Sequence, residues 1–327
     1  MPNTKLPHRA LGRGGLSIST VGLGGMSLSG VYGPADDAQS EDLIRYAIDQ
    51  GVDHLDSSDM YGWGHNETLL GKALAGGRRG KVVLATKFGQ VQQPGGANGV
   101  DGRPEYVKAA CEASLKRLGV DEIDIYFQHR VDPSVPIEET VGAMGELVKA
   151  GKVRAIGLCE AKPETIKRAH EIHPLAAVQS EYSLLYRQHA EETLATTRPL
   201  GIAYVAYSPL GRSLLTGSVK SASDIPEGDG RGRHPRFAGD NLAHNLQLAA
   251  AIEAMAKAKG CTPGQVALAW LLAQDSDIVP IPGTKRSARV DENVAATSVS
   301  LSADEAAKLS AALPPGGRPA GAIPTAE

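Results

Sequence analysis

The chain has 327 residues, a formal net charge of -3 and 42% hydrophobic against 22% charged residues. A chain of this size buries about three quarters of its unfolded surface, and α/β barrels routinely exceed about 250 residues as one domain. The slight acidity argues against a nucleic-acid or anionic-membrane partner, either of which would favour a basic face. Met1-Pro2-Asn3-Thr4 is polar with no apolar stretch behind it, and no run approaches about 18 apolar residues. Cys111, Cys159 and Cys261 are far apart and read as free thiols in a reducing compartment, which points to a cytoplasmic protein.

In chain order, the Gly- and Ser-rich stretch 9–19 predicts a hairpin ahead of the first barrel strand. Short, mostly apolar strands follow at 21–24, 54–56, 82–86, 123–127, 155–158, 177–179, 203–207 and 278–281. Such continuous apolar runs suit parallel strands covered on both faces. Between them the spacing predicts helices over 40–50, stopping at Gly51, over 104–118 with proline in its first turn, and over 137–150, stopping at Gly151. Thr262-Pro263-Gly264-Gln265 and Ser302-Ala303-Asp304-Glu305 read as capping boxes opening two further helices. Eight strands alternating with helices predict one closed (β/α)8 TIM barrel over 1–313. Long connections at 89–103 and 212–241 are expected to be functional or irregular loops on the C-terminal face, and 314–327 a loose tail.

Reducing a carbonyl by hydride transfer requires a proton donor for the developing alkoxide. A tyrosine serves if an ammonium group pulls its pKa down from about 10 and a carboxylate holds that ammonium in place. Asp56 ends the second strand, Tyr61 follows in the next loop, Lys87 ends the third strand and His129 sits just past the fourth. Taken singly, each reads as a cap, a packing residue, a solvated charge or a structural histidine. Together they fall where barrel enzymes place their chemistry, at C-terminal strand ends.

The segment Asp56-Ser57-Ser58-Asp59-Met60-Tyr61-Gly62, with Asn66-Glu67 and Leu70-Gly71, resembles the signature of the aldo-keto reductases. The stretches 178–183, 206–211 and 282–286 are similar to later motifs of that family, and the likeness runs from Leu11 to Asn293. The resemblance implies a barrel that reduces aldehydes or ketones with NADPH and lacks a Rossmann domain. It implies Tyr61 as general acid, Lys87 and Asp56 as the groups that tune it, and His129 as the group orienting the substrate carbonyl. It also implies a nicotinamide stacked on Tyr207, its carboxamide held by Gln179, and a pyrophosphate near Ser208, Leu210, Gly211 and Arg212. Gly283, Thr284, Lys285 and Arg289, with Arg286, would then meet the adenosine 2′-phosphate, and Glu292 and Asn293 the adenine.

Two positions depart from the family pattern. Cys159-Glu160 stands where many members have Ser-Asn holding the carboxamide, and a thiol is a weaker donor than a hydroxyl. Gly283 stands where some branches carry a phosphate-binding lysine, a role then falling to Lys285. Tyr32, Trp63 and Phe88 are the aromatic candidates for the substrate pocket, with Phe237 a lesser one. A short-chain dehydrogenase would show Tyr-x-x-x-Lys, a Rossmann enzyme a glycine motif after its first strand, and a zinc enzyme clustered ligands; none is present, and His170-x-x-His173 reads as surface. The alternative from another class is a regulatory subunit that binds the cofactor with little turnover. Oligomeric state and the identity of the carbonyl substrate are unreadable from sequence.

Overall fold

The computed structural model describes residues 6–93 and 98–312. A hairpin of β1 (His8–Leu11) and β2 (Leu16–Ser19) precedes the barrel strands β3 (Leu23–Gly24), β4 (His54–Asp56) and β5 (Val83–Phe88). A second hairpin, β6 (Gln90–Gln92) and β7 (Asn98–Val100), rises from the loop after β5. The barrel continues through β8 (Ile123–Gln128), β9 (Val153–Cys159), β10 (Leu175–Glu181), β11 (Ala203–Tyr207) and β12 (Ile278–Pro280). Every pairing between barrel strands is parallel. Gly22 N–H donates to the Pro280 carbonyl at 2.9 Å and Gly24 N–H to the Pro282 carbonyl at 3.3 Å, which brings the first strand beside the last and closes the ring.

Ten helices pack around the ring or at its ends among the described residues: α1 (Asp37–Asp49), α2 (His65–Leu74), α3 (Pro104–Leu118), α4 (Ile137–Lys149), α5 (Pro163–Ile172), α6 (Gln188–Leu200), α7 (Gly239–Lys259), α8 (Pro263–Leu272), α9 (Ser287–Ala295) and α10 (Ala303–Ala311). Both predicted capping boxes are present, at Thr262 and Ser302. The Thr262 hydroxyl accepts from Gln265 N–H and donates to Glu292 at 2.7 Å, tying α8 to α9. Thr262→Ala is expected to cost about 1–2 kcal/mol, the range for a lost N-cap, read from urea denaturation.

Strand alternation divides the core. Ala85, Ile125, Phe127, Ala155, Ala177, Val205 and Val279 fill the barrel, and Leu11, Leu16 and Ile18 of the hairpin plug its N-terminal mouth. Gly157 completes the interior because a side chain there would meet the Phe127 ring at 2.4 Å and the Ala177 carbonyl at 2.5 Å. The residues between them, such as Leu84, Tyr126, Leu158 and Val178, face the helices.

The long connections are more structured than expected. The 89–103 stretch contains the second hairpin. The 212–241 stretch holds short 3₁₀ turns and a first turn of α7. Arg236 and Glu181, both buried, pair at 2.5 Å and pin this segment to the end of β10. The sequence carries no periodic signal for such an anchor, because a single long-range ion pair has no spacing. The 314–327 tail lies outside the described residues.

Candidate active site

The inward positions that fill the barrel also set the site. Continued to the C-terminal ends, they are Asp56, Lys87, His129, Cys159, Gln179 and Tyr207. The structure places Asp56 and Lys87 side by side, both buried, with Lys87 Nζ donating to Asp56 Oδ1 at 2.5 Å and to the Ser57 carbonyl at 2.7 Å. The third Nζ donor reaches the Tyr61 hydroxyl at 3.3 Å. Gln179 Nε2 donates to Asp56 Oδ2 at 2.7 Å, so both carboxylate oxygens are held. His129 meets the Tyr61 ring edge-on with centroids 5.8 Å apart, and its Nδ1 lies 3.0 Å from the Ser58 hydroxyl.

The charges within this group are decided by burial against neighbours. Burial works against the Lys87 ammonium, yet Asp56, Tyr61 and Cys159 together hold its pKa above the ordinary lysine range. It is a permanent cation. Burial raises the Tyr61 hydroxyl pKa, and Lys87 pulls it back only in part. Tyr61 is therefore a fully protonated donor at neutral pH, where the sequence argument expected a lowered pKa. Burial, Lys87 and Arg130 push His129 well below the ordinary histidine range, so its imidazole is neutral. Burial lifts the Cys159 thiol to about 12, which makes it a small, unreactive filler.

A cavity of about 720 Å³ opens above these groups. Asp56, Tyr61 and His129 line it, and Lys87 lies beneath. Along the wall follow Cys159, Gln179, Tyr207, Ser208, Leu210, Arg212, Gly283, Thr284, Lys285, Arg289, Glu292 and Asn293, with Arg286. Arg286 occupies the N-cap position of α9 and lines the cavity, so the helix N-terminus lies at this end of the wall beside the cations.

Besides Lys87, five expected residues lie off the wall. Phe88 faces outward, being one position past Lys87, and stacks on Tyr126 at 4.8 Å in the core. Trp63 is 44% exposed and does not line the cavity. Gly211 sits behind Leu210, where a side chain would press on Leu185 and Leu215. Glu160, one past Cys159, turns away: its Oε1 accepts from Glu181 N–H at 2.9 Å and its side chain bonds Tyr207. It positions Tyr207 from behind. Phe237 is likewise buried in the outer core. Lys285 is on the wall, but its three Nζ donors are used on the carbonyls of Tyr32, Gly33 and Pro34 at 2.8, 2.8 and 2.9 Å. Tyr32 also accepts from Arg212 at 2.8 Å, so this loop bridges the cavity.

The wall also includes residues without a functional signal in their local motif, among them Met26, Val31, Met60, Gln90, Arg130 and Arg231. The only mark of Arg130 is its place next to His129. Arg231 has none, being in an irregular loop. Among the described residues, Trp63, Glu160, Ser208, Arg212 and Ser213 are the non-glycine residues with left-handed backbone, and all lie in loops after barrel strands on the site's face. Each such residue costs of order 1 kcal/mol or more, and such strain collects where a loop is held for function.

A model of the aldo/keto reductase family matches residues 20–314. A protein described as probable aldo-keto reductase 1 from Glycine max is 45% identical over 317 residues, 97% of this chain and 91% of that one. Among solved structures, the glycerol dehydrogenase of Gluconobacter oxydans superposes with a TM-score of 0.85 at 28% identity, covering 95% of each chain. A thermostable aldo-keto reductase solved with the inhibitor epalrestat gives 0.77 at 30% identity, over 94% of this chain and 100% of that one. An aldo-keto reductase of Bacillus halodurans in its holo form gives 0.79 at 28% identity, over 94% and 96%. With its eight-stranded barrel and its Asp, Tyr, Lys and His at the strand ends, this chain belongs to the aldo/keto reductase family, oxidoreductases that act on carbonyl compounds.

Proposed function

We propose that the protein is a cytoplasmic, NADPH-dependent reductase of aldehydes or ketones in which Tyr61 is the general acid. The observation that carries this reading is the buried Lys87–Asp56 pair with its third donor on the Tyr61 hydroxyl, beneath a cavity that His129 also lines. The wall fits a dinucleotide: a tyrosine and an amide at one end, cations and a helix N-terminus at the other. When bound, reduced nicotinamide supplies a hydride to the carbonyl carbon. Tyr61 gives its proton to the carbonyl oxygen, and the fixed charge of Lys87 stabilises the oxyanion that forms. Ser58 Oγ and His129 Nδ1 share a hydrogen bond at 3.0 Å, and the neutral tautomer with its proton on Nε2 is the one that can orient the carbonyl. Tyr207, backed by Glu160, is the stacking surface. Gln179 spends its N–H on Asp56 and offers its amide oxygen to the carboxamide.

Phosphate recognition falls to Arg286 and Arg289, since Lys285 holds the bridging loop. Arg289→Met is expected to lower the ratio of kcat/KM with NADPH to that with NADH by about tenfold or more, the scale of a charge-assisted hydrogen bond. An unchanged ratio would remove Arg289 from phosphate recognition. The test of the whole reading is oxidation of NADPH by the purified protein with a panel of aldehydes and ketones, run in parallel with NADH. Carbonyl-dependent oxidation supports it. Cofactor binding without turnover across the panel would mark a binding module instead.

A further inference from the structure

Arg130 follows His129 directly after β8, is half-buried and lines the cavity. One of its guanidinium nitrogens donates to the His129 carbonyl at 2.6 Å. Its other donors have no carboxylate partner among the described residues. Of the neighbouring cations, Lys87 pairs with Asp56, Arg231 with Asp229 and Arg289 with Glu292, whereas Arg212 and Lys285 bond neutral oxygens of residues 32–34. The carboxylates on the wall are also committed. Asp56 is held by Lys87 and Gln179, Asp224 caps the N–H groups of residues 220 and 221, and Glu292 holds Arg289 and Thr262.

A guanidinium partly withdrawn from water with no counter-ion is costly unless a ligand supplies one. Its planar fork of five N–H groups, one of them engaged, matches a carboxylate or a phosphate. The charge acts on the site: its field reaches His129, Cys159 and Tyr207. The bond of Arg130 to the His129 carbonyl and its place in the lining put it beside the carbonyl-orienting histidine on the cavity wall.

We propose that Arg130 is a substrate-recognition residue and that the preferred substrates are carbonyl compounds bearing an anionic group, a carboxylate or a phosphate. This rests on the reductase reading. The anion docks on the free edge of the guanidinium, and the tether to the His129 carbonyl sets its position relative to the carbonyl-orienting imidazole. Binding energy gained away from the reacting carbon then holds that carbon in place.

The test uses pairs differing in charge: 4-carboxybenzaldehyde against methyl 4-formylbenzoate, and glyceraldehyde 3-phosphate against glyceraldehyde. Each is assayed by NADPH oxidation with the intact enzyme, Arg130→Gln and Arg130→Lys. The expected result is an anion preference of about tenfold or more in kcat/KM, carried by KM, that collapses in the glutamine variant and partly returns with lysine. Whichever pair shows the larger preference identifies carboxylate or phosphate as the source. Because substitution beside His129 can disturb folding, the intact enzyme supplies a second measure. Its KM for the acid should rise with ionic strength more steeply than its KM for the ester. Turnover of the neutral partners with no anion preference overturns the proposal and leaves the reductase reading standing. Equal losses on both members of a pair also overturn it, since Arg130 would then only support His129. No turnover of any carbonyl would remove the reductase reading itself.

Discussion

Tyr61→Phe is expected to lower turnover by about two orders of magnitude or more, the usual scale for a lost general acid, with cofactor affinity nearly retained. The ring that packs edge-on against His129 at 5.8 Å is kept, so the cavity keeps its shape and only the proton donor is removed. Single-turnover stopped-flow with preloaded NADPH measures this without interference from product release. The pH dependence follows from the raised Tyr61 pKa. The acid form persists through and above neutral pH, so carbonyl reduction should be flat there. Alcohol oxidation, which needs the phenolate, should climb as pH rises. Full activity in the variant would sink the assignment of Tyr61, and a rate of reduction that falls between pH 6 and about 8 would mean another group supplies the proton.

How much of this was legible in the sequence depends on the range over which each feature is written. Capping boxes are local, and Thr262 and Ser302 open α8 and α10 where the residue order predicts. The glycine and proline punctuation of α3 and the ends of β4 and β11 are equally local. Period-2 alternation determines which strand-end residues face inward. Applied strictly, it would have rejected Phe88 and Glu160, since each follows an inward residue by one position. Signals written across the chain were silent. Arg236 reaching Glu181 and Lys285 reaching the Tyr32–Pro34 carbonyls each join segments far apart in sequence. The same holds for the helices α2, α6 and α7, whose formation owes more to the sheet they cover than to a strong pattern of their own. The raised pKa of Tyr61 differs from the sequence expectation for a related reason: a neighbouring ammonium can be inferred from motif spacing, whereas depth of burial cannot.

Asp59→Asn is expected to stabilise the protein at pH 8 by about 2–4 kcal/mol and to have little effect at pH 4. Burial, reinforced by the nearby Glu67 and opposed by Arg117, raises the Asp59 carboxyl from its ordinary value to about 7. In the unfolded chain the same group titrates near about 4. Between these values the native state binds the proton more tightly than the unfolded state. The contribution of Asp59 is therefore fully present below about pH 4 and is lost as pH rises through about 7. An asparagine imitates the protonated acid and removes this slope, while other titrating groups cancel in the comparison. At about 2–4 °C per kcal/mol the gain at pH 8 is several degrees in Tm, readable by calorimetry. Equal differences at pH 4 and pH 8 would show that the effect is not protonation. The location gives the charge a second consequence. Asp59 lies two residues before Tyr61, and its N–H donates to the Lys87 carbonyl at 3.1 Å. The destabilising carboxylate thus sits in the loop that presents the general acid. A variant that gains stability while losing turnover would show that stability is given up here to keep that loop in its working position.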